Sequence, residues 1–419
     1  MKFAPFTLLV FFTGIALLQG CSETVATPPP TAIPLEPTAA PVATKPLDPY
    51  LQNFLNEYEQ YFADSLLLSG TPGAALVIVK DSQVVFIKGY GEKAIGSGDP
   101  INAHTRFRIG SLSKGFAGVL TGMMVAKGFL KWDDPVQQHF PDFHLKDEKQ
   151  ARRVQVRHLL SHTDGLPYHA FDNLVEQGYD RETIVSQYFP NAKLFGQEGR
   201  FFGYQNVSFS LIEPVLEAAT RQSYRALLQE FIFYPAGMYD ASLDFSTMQN
   251  TANKALPHSW QASGWAADSI STFYYDFAAA GGINASISDM GEWLKVLLGH
   301  RPDLISSETL DDVFKPFIAT GLERRTLPGW IDRDSAYYAM GWRILKTSSG
   351  DLIYHAGFVN NFHSEIALDR RDGIGVCVLF NANSPLRGKC IRAFFERWEN
   401  MLDEKECEKA ATNRQKISS

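Results

Sequence analysis

A serine and a lysine three residues apart are the first side chains of the sequence that could do chemistry together. Ser111 lies where a strand-like stretch changes into an apolar helix, and Lys114 follows it in the segment RFRIGSLSKGFAGVL. Residues three apart share one face of a helix, so the hydroxyl and the amine can meet. A serine becomes nucleophilic when a base takes its proton, and burial drives a lysine towards the neutral form that can be that base. The spacing alone also fits a helix-capping serine followed by a solvated lysine.

Two further motifs lie far along the chain from this pair. Tyr204 and Asn206 form the only Y-x-N motif of the sequence, and His355 to Gly357 form the only H-x-G motif, at the end of a strand-like stretch. In this order the three motifs resemble those of the serine β-lactamase and penicillin-binding-protein superfamily. The resemblance is to its class C β-lactamase-related branch, which includes D-alanyl-D-alanine carboxypeptidases, D-aminopeptidases and esterases. It covers about residues 50 to 400, and the stretches VRHLLSHTDGLP, YPAGM and YAMGW also look like this branch.

The resemblance implies a nucleophile with two assisting groups. Ser111 would be acylated, and Lys114 would share its proton. Tyr204 would act as the general base in acylation, and its phenol would then protonate the leaving group. The unperturbed pKa values of tyrosine and lysine are both about 10. A phenolate beside an ammonium is a reasonable base at neutral pH, because each charge favours the other.

The same resemblance implies how a substrate would be held. Asn206 would donate a hydrogen bond to the substrate amide or carbonyl. The backbone N–H groups of Ser111 and Phe358 would form the oxyanion hole, and Gly357 would leave room for the substrate beside its strand. No cofactor is implied.

The H-x-G motif departs from the K-T-G of class C β-lactamases. His355 stands where the lysine would be, and Ala356 stands where the threonine would be. Histidine carries a positive charge only part of the time at neutral pH, and alanine supplies no donor for a substrate carboxylate. We therefore expect a peptidase or an esterase rather than an efficient β-lactamase.

The elements that must position these residues predict an α+β fold. Residues 48–68 have the pattern of a helix, and two strands follow it. Residues from about 115 to 275 have mainly helical patterns. The segments after Ala339 have the pattern of an antiparallel meander that is closed by a helix. The first and last pieces can share one antiparallel sheet flanked by helices if the middle is an inserted, mainly helical lobe, with the active site at the junction. This is the β-lactamase/transpeptidase-like architecture that the resemblance implies. Within the helix SDMGEWLKVLLG, Ser288 is the expected N-cap.

The N-terminus predicts export and a lipid anchor. Residues 1–20 carry an apolar run of signal-peptide length that ends in LLQGC, which resembles a bacterial lipoprotein signal with Cys21 as the acceptor thiol. Ordinary secretory cleavage nearby is the alternative. Residues 21–49 are rich in Pro, Thr and Ala and predict an extended tether, and Ser22 suggests sorting to an outer membrane. We therefore expect a periplasmic protein that is lipid-anchored to the outer membrane.

Beyond the tether, residues 50–402 are expected to form the β-lactamase-like serine hydrolase domain. A charged tail at residues 403–419 is expected to fray. An aromatic segment at residues 260–277 fits either the core or one wall of the cleft.

Composition and the remaining motifs exclude several other functions. A formal net charge of −7 gives no basic stripe for nucleic acid, and the P-loop, G-x-G-x-x-G and G-x-S-x-G motifs do not occur. His158 and His162 could share a metal, but no third ligand lies at a recognisable spacing, so hydrogen-bonded structural histidines and no metal site are expected. Cys377 is expected to be a buried thiol, and a Cys390–Cys407 bridge stays open.

Together these patterns predict a membrane-tethered serine hydrolase that acts through an acyl-enzyme on a small amide or ester, with D-amino-acid peptides of the cell wall as candidate substrates. One alternative is a family esterase on short acyl esters, or a weak β-lactamase. Another is a catalytically silent lipoprotein that binds the cell wall or a partner through the same cleft. The intact Ser, Lys, Tyr and Asn residues argue against the silent binder, and the oligomeric state stays open.

Overall fold

The computed structural model describes residues 47–320, 336–347 and 350–418. The predicted signal peptide at residues 1–20, the lipidation site Cys21 and nearly all of the predicted tether lie outside the described residues. The unit that begins at Asp48 contains every element discussed below.

An antiparallel sheet forms the centre of this unit, as predicted for an α+β fold. Within the described residues it has eight strands in the order β2-β1-β12-β11-β10-β9-β8-β7. These strands are β1 (Gly73–Lys80), β2 (Gln83–Gly91), β7 (Ile318–Ala319), β8 (Ala336–Tyr338), β9 (Arg343–Thr347), β10 (Gly350–Val359), β11 (Phe362–Asp369) and β12 (Ile374–Phe380). The first strand therefore pairs with the last one, which confirms that the two ends of the domain share one sheet.

Four shorter strands form two small ribbons outside this sheet. β3 (Arg106–Arg108) pairs with β6 (Asn284–Ser286), and β4 (His258–Gln261) pairs with β5 (Gly264–Ala267). The sequence patterns did not predict the second ribbon, which lies inside the segment expected to be helical.

Helices cover the sheet and fill the segment between β2 and β7. The helices are α1 (Pro49–Ser69), α2 (Ser113–Ala126), α3 (Val136–His139), α4 (Glu148–Ala151), α5 (Val156–Leu160), α6 (Asp172–Glu176), α7 (Arg181–Gln187), α8 (Val207–Ser210), α9 (Ile212–Thr220), α10 (Tyr224–Leu228), α11 (Tyr234–Ala236), α12 (Phe245–Asn250), α13 (Ala278–Gly281), α14 (Ile287–Leu297), α15 (Ser307–Phe314) and α16 (Cys390–Ser418). Short 3₁₀ turns occupy Gly110–Leu112, Phe189–Asn191 and Tyr275–Phe277, and a π-helical turn spans Gln229–Phe233.

Helix α14 begins two residues before the position that the sequence suggested. Ser286, rather than Ser288, is the N-cap, because its hydroxyl accepts a hydrogen bond from the backbone N–H of Asp289 at 3.1 Å. The Asp289 carboxylate in turn accepts a hydrogen bond from the backbone N–H of Ser286 at 3.0 Å. This reciprocal capping box satisfies two donors, whereas a cap at Ser288 would satisfy one.

Helix α16 continues through the segment that the sequence predicts to be a frayed tail. It runs from Cys390 to Ser418. Charged and polar side chains hold it against the N-terminal helix, since Lys405 donates to the carboxylate of Asp48 and the hydroxyl of Tyr50 donates to Glu408. Among the described residues, no helix is both long enough and apolar enough to cross a membrane.

The glycines of α2 let this helix lie directly on the segment that enters β9. A Cβ on Gly118 would lie 2.0 Å from the carbonyl oxygen of Met340, and a Cβ on Gly115 would lie 2.3 Å from the ring of Trp342. Real Cβ atoms do not approach so closely, so a larger residue would push α2 away. The helix that follows Ser111 is thereby fixed against the sheet.

Candidate active site

Ser111 lies in the 3₁₀ turn just before α2 rather than at the first residue of that helix. The side chain of Ser113 secures the turn, since its hydroxyl donates to the carbonyl of Gly110 at 2.7 Å and accepts from the N–H of Ile283 at 3.1 Å. Strand β10 presses on the other side, where a Cβ on Gly357 would lie only 3.0 Å from the backbone nitrogen of Ser111. Ser111, the predicted nucleophile, therefore lies between the sheet and the helical insertion.

Lys114 is fully buried and points its amine at Ser111. Its Nζ donates to the hydroxyl of Ser111 at 3.4 Å, to Oδ1 of Asn206 at 2.7 Å and to the carbonyl of Ala280 at 2.9 Å. Burial lowers the pKa of this amine well below its ordinary value; the charge of Asp172 opposes this shift and the charge of Arg343 adds to it. An amine that is neutral at physiological pH can accept the serine proton.

The ring of Tyr204 lies between two basic side chains in the cleft. The Nζ atom of Lys114 lies 4.8 Å from the ring centroid, and the guanidinium carbon of Arg343 lies 5.2 Å from it. The ring also packs on His162, with their centroids 4.3 Å apart. Because a guanidinium keeps its proton in proteins, Arg343 supplies a permanent positive charge beside the phenol. The phenol expected to be the general base and the amine of Lys114 therefore share one side of the cleft.

Asn206 connects the amine of Lys114 to a carboxylate. The Oδ1 atom of Asn206 must face Lys114, because the nitrogen of Lys114 carries hydrogens that only an oxygen can accept. The Nδ2 atom of Asn206 therefore faces the other way, and it donates to Oδ2 of Asp172 at 2.9 Å and to the hydroxyl of Tyr274 at 3.2 Å. Both amide hydrogens are thus used within the protein. The expected donation from Asn206 to a substrate would therefore require one of these two hydrogen bonds to break. The contacts of Asn206 in the structure position the amine of Lys114.

His355 is buried and neutral, which corrects the expectation that it carries part of a positive charge. Arg343 can only donate, so Nε2 of His355 accepts at 3.2 Å from Nη1 of Arg343, and Nδ1 donates to the carbonyl of Ala356 at 2.8 Å. Burial lowers the pKa of His355 well below its ordinary value, and the charges of Arg343 and Lys114 lower it further. Arg343 therefore provides the positive charge that the motif position itself lacks.

A chain of hydrogen bonds through Tyr338 and His162 also holds His355 in place. The hydroxyl of Tyr338 lies 3.0 Å from Nε2 of His355 and 3.2 Å from Nε2 of His162. Nδ1 of His162 accepts from the N–H of Gln205, so its Nε2 carries the hydrogen and donates to Tyr338. His158 likewise accepts through Nδ1, from the N–H of Gln155. Both histidines considered as metal ligands are thus hydrogen-bonded, and no cluster of three or more His, Cys, Asp or Glu suited to a metal occurs among the described residues.

Strand β10 presents a free edge beside Ser111. Its pairing with β9 stops at Tyr354, whereas its pairing with β11 continues to Val359. The backbone nitrogen of Phe358 lies against the nucleophile turn, because a Cβ on Gly110 would be 2.9 Å from it. The two backbone N–H groups expected to form the oxyanion hole, on Ser111 and Phe358, thus belong to adjoining segments, and a substrate could lie along this edge.

A cleft with a volume of about 960 Å³ opens over these residues. Its wall includes the predicted catalytic and substrate-binding residues except the buried Lys114 and His355. It also includes Tyr274, from the aromatic segment considered above, and Asp172 and Arg343, which sequence reasoning missed. A lone arginine in the apolar strand around YAMGWRIL was the available signal, since arginine is rarely buried without a partner for its charge. Asp172 begins the short helix α6, whose sequence gives no comparable signal.

The aromatic segment at residues 260–277 divides between the two roles considered for it. Phe273 and Tyr274 line the cleft, Phe277 is buried in the core, and Trp260 is 69% exposed.

The three cysteines of the described residues are free thiols: Cys377 and Cys390 are buried, and Cys407 is exposed on α16. A Cys390–Cys407 bridge is therefore not formed.

Comparison with known proteins agrees with this fold. The family profile described as Beta-lactamase matches residues 59–397, and the chain therefore belongs to the β-lactamase family. Within the broader superfamily it is similar to a solved structure, the octameric penicillin-binding protein homologue from Pyrococcus abyssi, with a TM-score of 0.69 and 23% identity over 78% of this chain and 74% of that one. At this identity the similarity concerns the fold.

Two curated relatives are similar to this chain at the level of sequence. Protein flp of Staphylococcus aureus (strain MW2) is 26% identical over 321 residues, which are 76% of this chain and 61% of that protein. Beta-lactamase-like protein 2 of Dictyostelium discoideum is 22% identical over 283 residues, which are 66% of this chain and 51% of that protein. The chain thus matches just over half of the length of each relative.

Proposed function

We propose that this protein is a serine hydrolase that forms an acyl-enzyme on Ser111 from a small amide or ester. The observation that carries the proposal is the fully buried amine of Lys114, which lies 3.4 Å from the Ser111 hydroxyl and is held there by Asn206 and the carbonyl of Ala280. The two closer acceptors, Asn206 and Ala280, use the two hydrogens of a neutral amine and leave its lone pair to face the Ser111 hydroxyl. A buried lysine held in this way, beside a large cleft, suits proton transfer better than it suits stability, because burial of an amine costs free energy.

The proposed reaction moves one proton at a time. In acylation, the Ser111 hydroxyl loses its proton to the Lys114–Tyr204 pair as its oxygen attacks the substrate carbonyl carbon. The negative oxygen that forms would be held by the N–H groups of Ser111 and Phe358, and the proton would pass through the phenol to the leaving nitrogen or oxygen. Water would then attack the ester on Ser111, with the same pair taking its proton, and the free serine would be restored.

The charges in the cleft favour a substrate that carries a carboxylate near the bond to be cleaved. Arg343 is a permanent cation among the cleft-lining residues, whereas Ala356 supplies no hydroxyl where a β-lactamase would have threonine. D-amino-acid peptides of the cell wall have such a carboxylate, and short acyl esters do not. A carboxypeptidase-type activity is therefore our first candidate, with a family esterase as the second.

The N-terminal sequence supports a membrane location for this proposed activity. Lipidation of Cys21, followed by the Pro-rich tether, would hold the hydrolase domain off the periplasmic face of the outer membrane, where cell-wall peptides are within reach. The proposal rests on the lipoprotein-like segment LLQGC alone.

A fluorophosphonate probe tests the class of function directly. We expect the wild-type protein to be labelled, Ser111→Ala to lose the label, and Ser97→Ala, which changes an exposed serine outside the cleft, to keep it. An unlabelled wild-type protein would favour the silent binder instead. A panel of D-Ala-D-Ala peptides, p-nitrophenyl esters and nitrocefin then separates peptidase, esterase and β-lactamase.

A further inference from the structure

A short loop carries His169 and Asp172 into the cleft in a backbone conformation that is costly to hold. His169 and Phe171 have φ angles of 54° and 69°, in the left-handed region that favours glycine. Two contacts keep the loop in place: the N–H of His169 donates to the carbonyl of Tyr204 at 2.8 Å, and the ring of Phe171 stacks on the buried ring of Phe189 with centroids 5.3 Å apart. Strained non-glycine residues cluster at functional sites, so the side chain that this loop presents is a candidate for a role in the reaction.

The side chain that the loop presents is the carboxylate of Asp172, and a single amide joins it to Lys114. Oδ2 of Asp172 accepts from Nδ2 of Asn206 at 2.9 Å, and Oδ1 of the same amide accepts from Nζ of Lys114 at 2.7 Å. The second donor to Oδ2 is Nδ1 of His169, at 2.5 Å. Oδ1 of Asp172 is buried and has no hydrogen-bond partner among the described residues. The carboxylate is therefore tied to the amine by two hydrogen bonds in series.

The need for a counter-charge arises when Lys114 takes the proton of Ser111. The O–H bond of Ser111 breaks, a third N–H bond forms on Nζ, and the buried amine becomes an ammonium. A buried charge is costly unless an opposite charge compensates it. Burial lowers the pKa of Lys114, the charge of Asp172 raises it, and the charge of Arg343 lowers it further. Asp172 therefore opposes both of the effects that make the ammonium costly.

The neighbouring titratable side chains do not supply a lasting negative charge. Burial lowers the pKa of His162 and of His355 well below the ordinary value, so both rings are neutral, and burial raises the pKa of Tyr274. Tyr204 is negative only while its phenol lacks the proton that the reaction passes through it. A pH dependence at this site also involves the cation Arg343, the exposed His169 and the exposed Glu176, one turn further along α6.

We infer that Asp172 provides the counter-charge for the ammonium that forms on Lys114, and that it acts through Asn206 as a positioning residue. It also orients the amide, because a carboxylate can only accept and so keeps Nδ2 on its own side and Oδ1 towards Lys114. An uncharged residue at position 172 would leave the ammonium beside the guanidinium of Arg343 without compensation. The importance of this charge for turnover rests on the proposed function, whereas its effect on the protonation of Lys114 does not.

Titration of Lys114 in the Ser111→Ala protein tests the assignment without any turnover. The protein carries lysine that is isotope-labelled at Cε, the chemical shift of each Cε is followed with pH, and the signal of Lys114 is the one that Lys114→Met removes. In Asp172→Asn the side-chain oxygen can still accept from Asn206 while the charge is gone, so we expect the signal to titrate at lower pH than in the parent, by at least ~0.5 pH unit. Glu176→Gln is the matched control, because it removes a carboxylate from the same helix and the same cleft, and its midpoint should equal that of the parent. Equal midpoints in Asp172→Asn and the parent would overturn the assignment.

Labelling kinetics with the fluorophosphonate probe give a second measurement in proteins that keep Ser111. Asp172→Asn should be labelled at least ~10-fold more slowly than the wild type, with the acid limb of its pH profile moved to lower pH, and Asp172→Glu should recover most of the rate because it restores the charge. Asp172→Ser removes the same charge and takes the place of Asp172→Asn if that variant does not fold. An unchanged rate, or a slower rate with an unmoved acid limb, would mean that Asp172 supplies no counter-charge. A wild-type protein that is not labelled at all would refute the proposed function, and the lysine titration would still decide this assignment.

Discussion

Replacing Lys114 with methionine would show whether the amine beside Ser111 is neutral in the folded protein. Burial lowers the pKa of this lysine well below its ordinary value, whereas in the unfolded chain the pKa is about 10.4. Between those two values the unfolded chain binds one more proton than the folded protein. The free energy of unfolding of the wild type must therefore rise with pH in this window, by up to about 1.4 kcal/mol per pH unit.

Methionine has a similar volume and no charge, so the variant lacks this contribution. From about pH 7.5 to about pH 9.5 the wild type should gain up to about 2.7 kcal/mol over Lys114→Met. The carbonyl of Ala280 and Oδ1 of Asn206 lose a donor in the variant, which costs about 1–3 kcal/mol, but this cost does not depend on pH. The slope of the difference, rather than its value at one pH, is therefore diagnostic.

Urea unfolding followed by tryptophan fluorescence at several pH values measures this slope. Lys146→Met is the matched control, because Lys146 is exposed, and its free energy of unfolding should follow that of the wild type at every pH. Parallel curves for the wild type and Lys114→Met would mean that the amine keeps its proton on folding. In that case Lys114 could not be the proton acceptor at neutral pH, and the argument from burial would fail.

Three further changes test other parts of the site and the anchor. Tyr204→Phe should slow acylation by about two orders of magnitude or more in stopped-flow assays, as loss of a general base does, and near-normal acylation would remove Tyr204 from that role. Ala356→Thr should raise nitrocefin turnover by adding a hydroxyl donor, and an unchanged rate would show that this position does not set specificity. Adding His355→Lys to this variant should lower the melting temperature, because the new amine would lie beside the guanidinium of Arg343, which is 3.2 Å from the histidine in the wild type. Cys21→Ser should move the protein from the membrane to the soluble fraction on cell fractionation, and retention in the membrane would contradict the lipid anchor.

The sequence predicted the residues that carry a distinctive spacing. Ser111, Lys114, Tyr204 and Asn206 belong to short motifs, and the pattern of strands before and after the helical segment placed them at a junction between sheet and insertion. The long, alternating strands β10 to β12 were predicted for the same reason, since their periodicity is strong and their turns are short.

What the sequence could not predict depends on contacts between distant segments. The low pKa of His355 follows from its burial and from Arg343 on the neighbouring strand β9, and no local sequence pattern predicts either of these. The positioning role of Asn206 depends on Asp172, 34 residues earlier in the chain. The charged end of α16 was predicted to fray because its composition is polar. In the structure, Lys405 and Glu408 of this helix are hydrogen-bonded to Asp48 and Tyr50, which lie at the other end of the domain's sequence.

The pairing of β1 with β12 has a consequence for the order of folding. Residue 74 aligns with residue 380, so the central sheet closes only when two segments far apart in the sequence have met. Contacts between such distant residues form slowly. In a partly folded chain Ser111 would lack the backbone of Phe358 beside it, and the proposed acyl transfer would have to wait until these strands had docked.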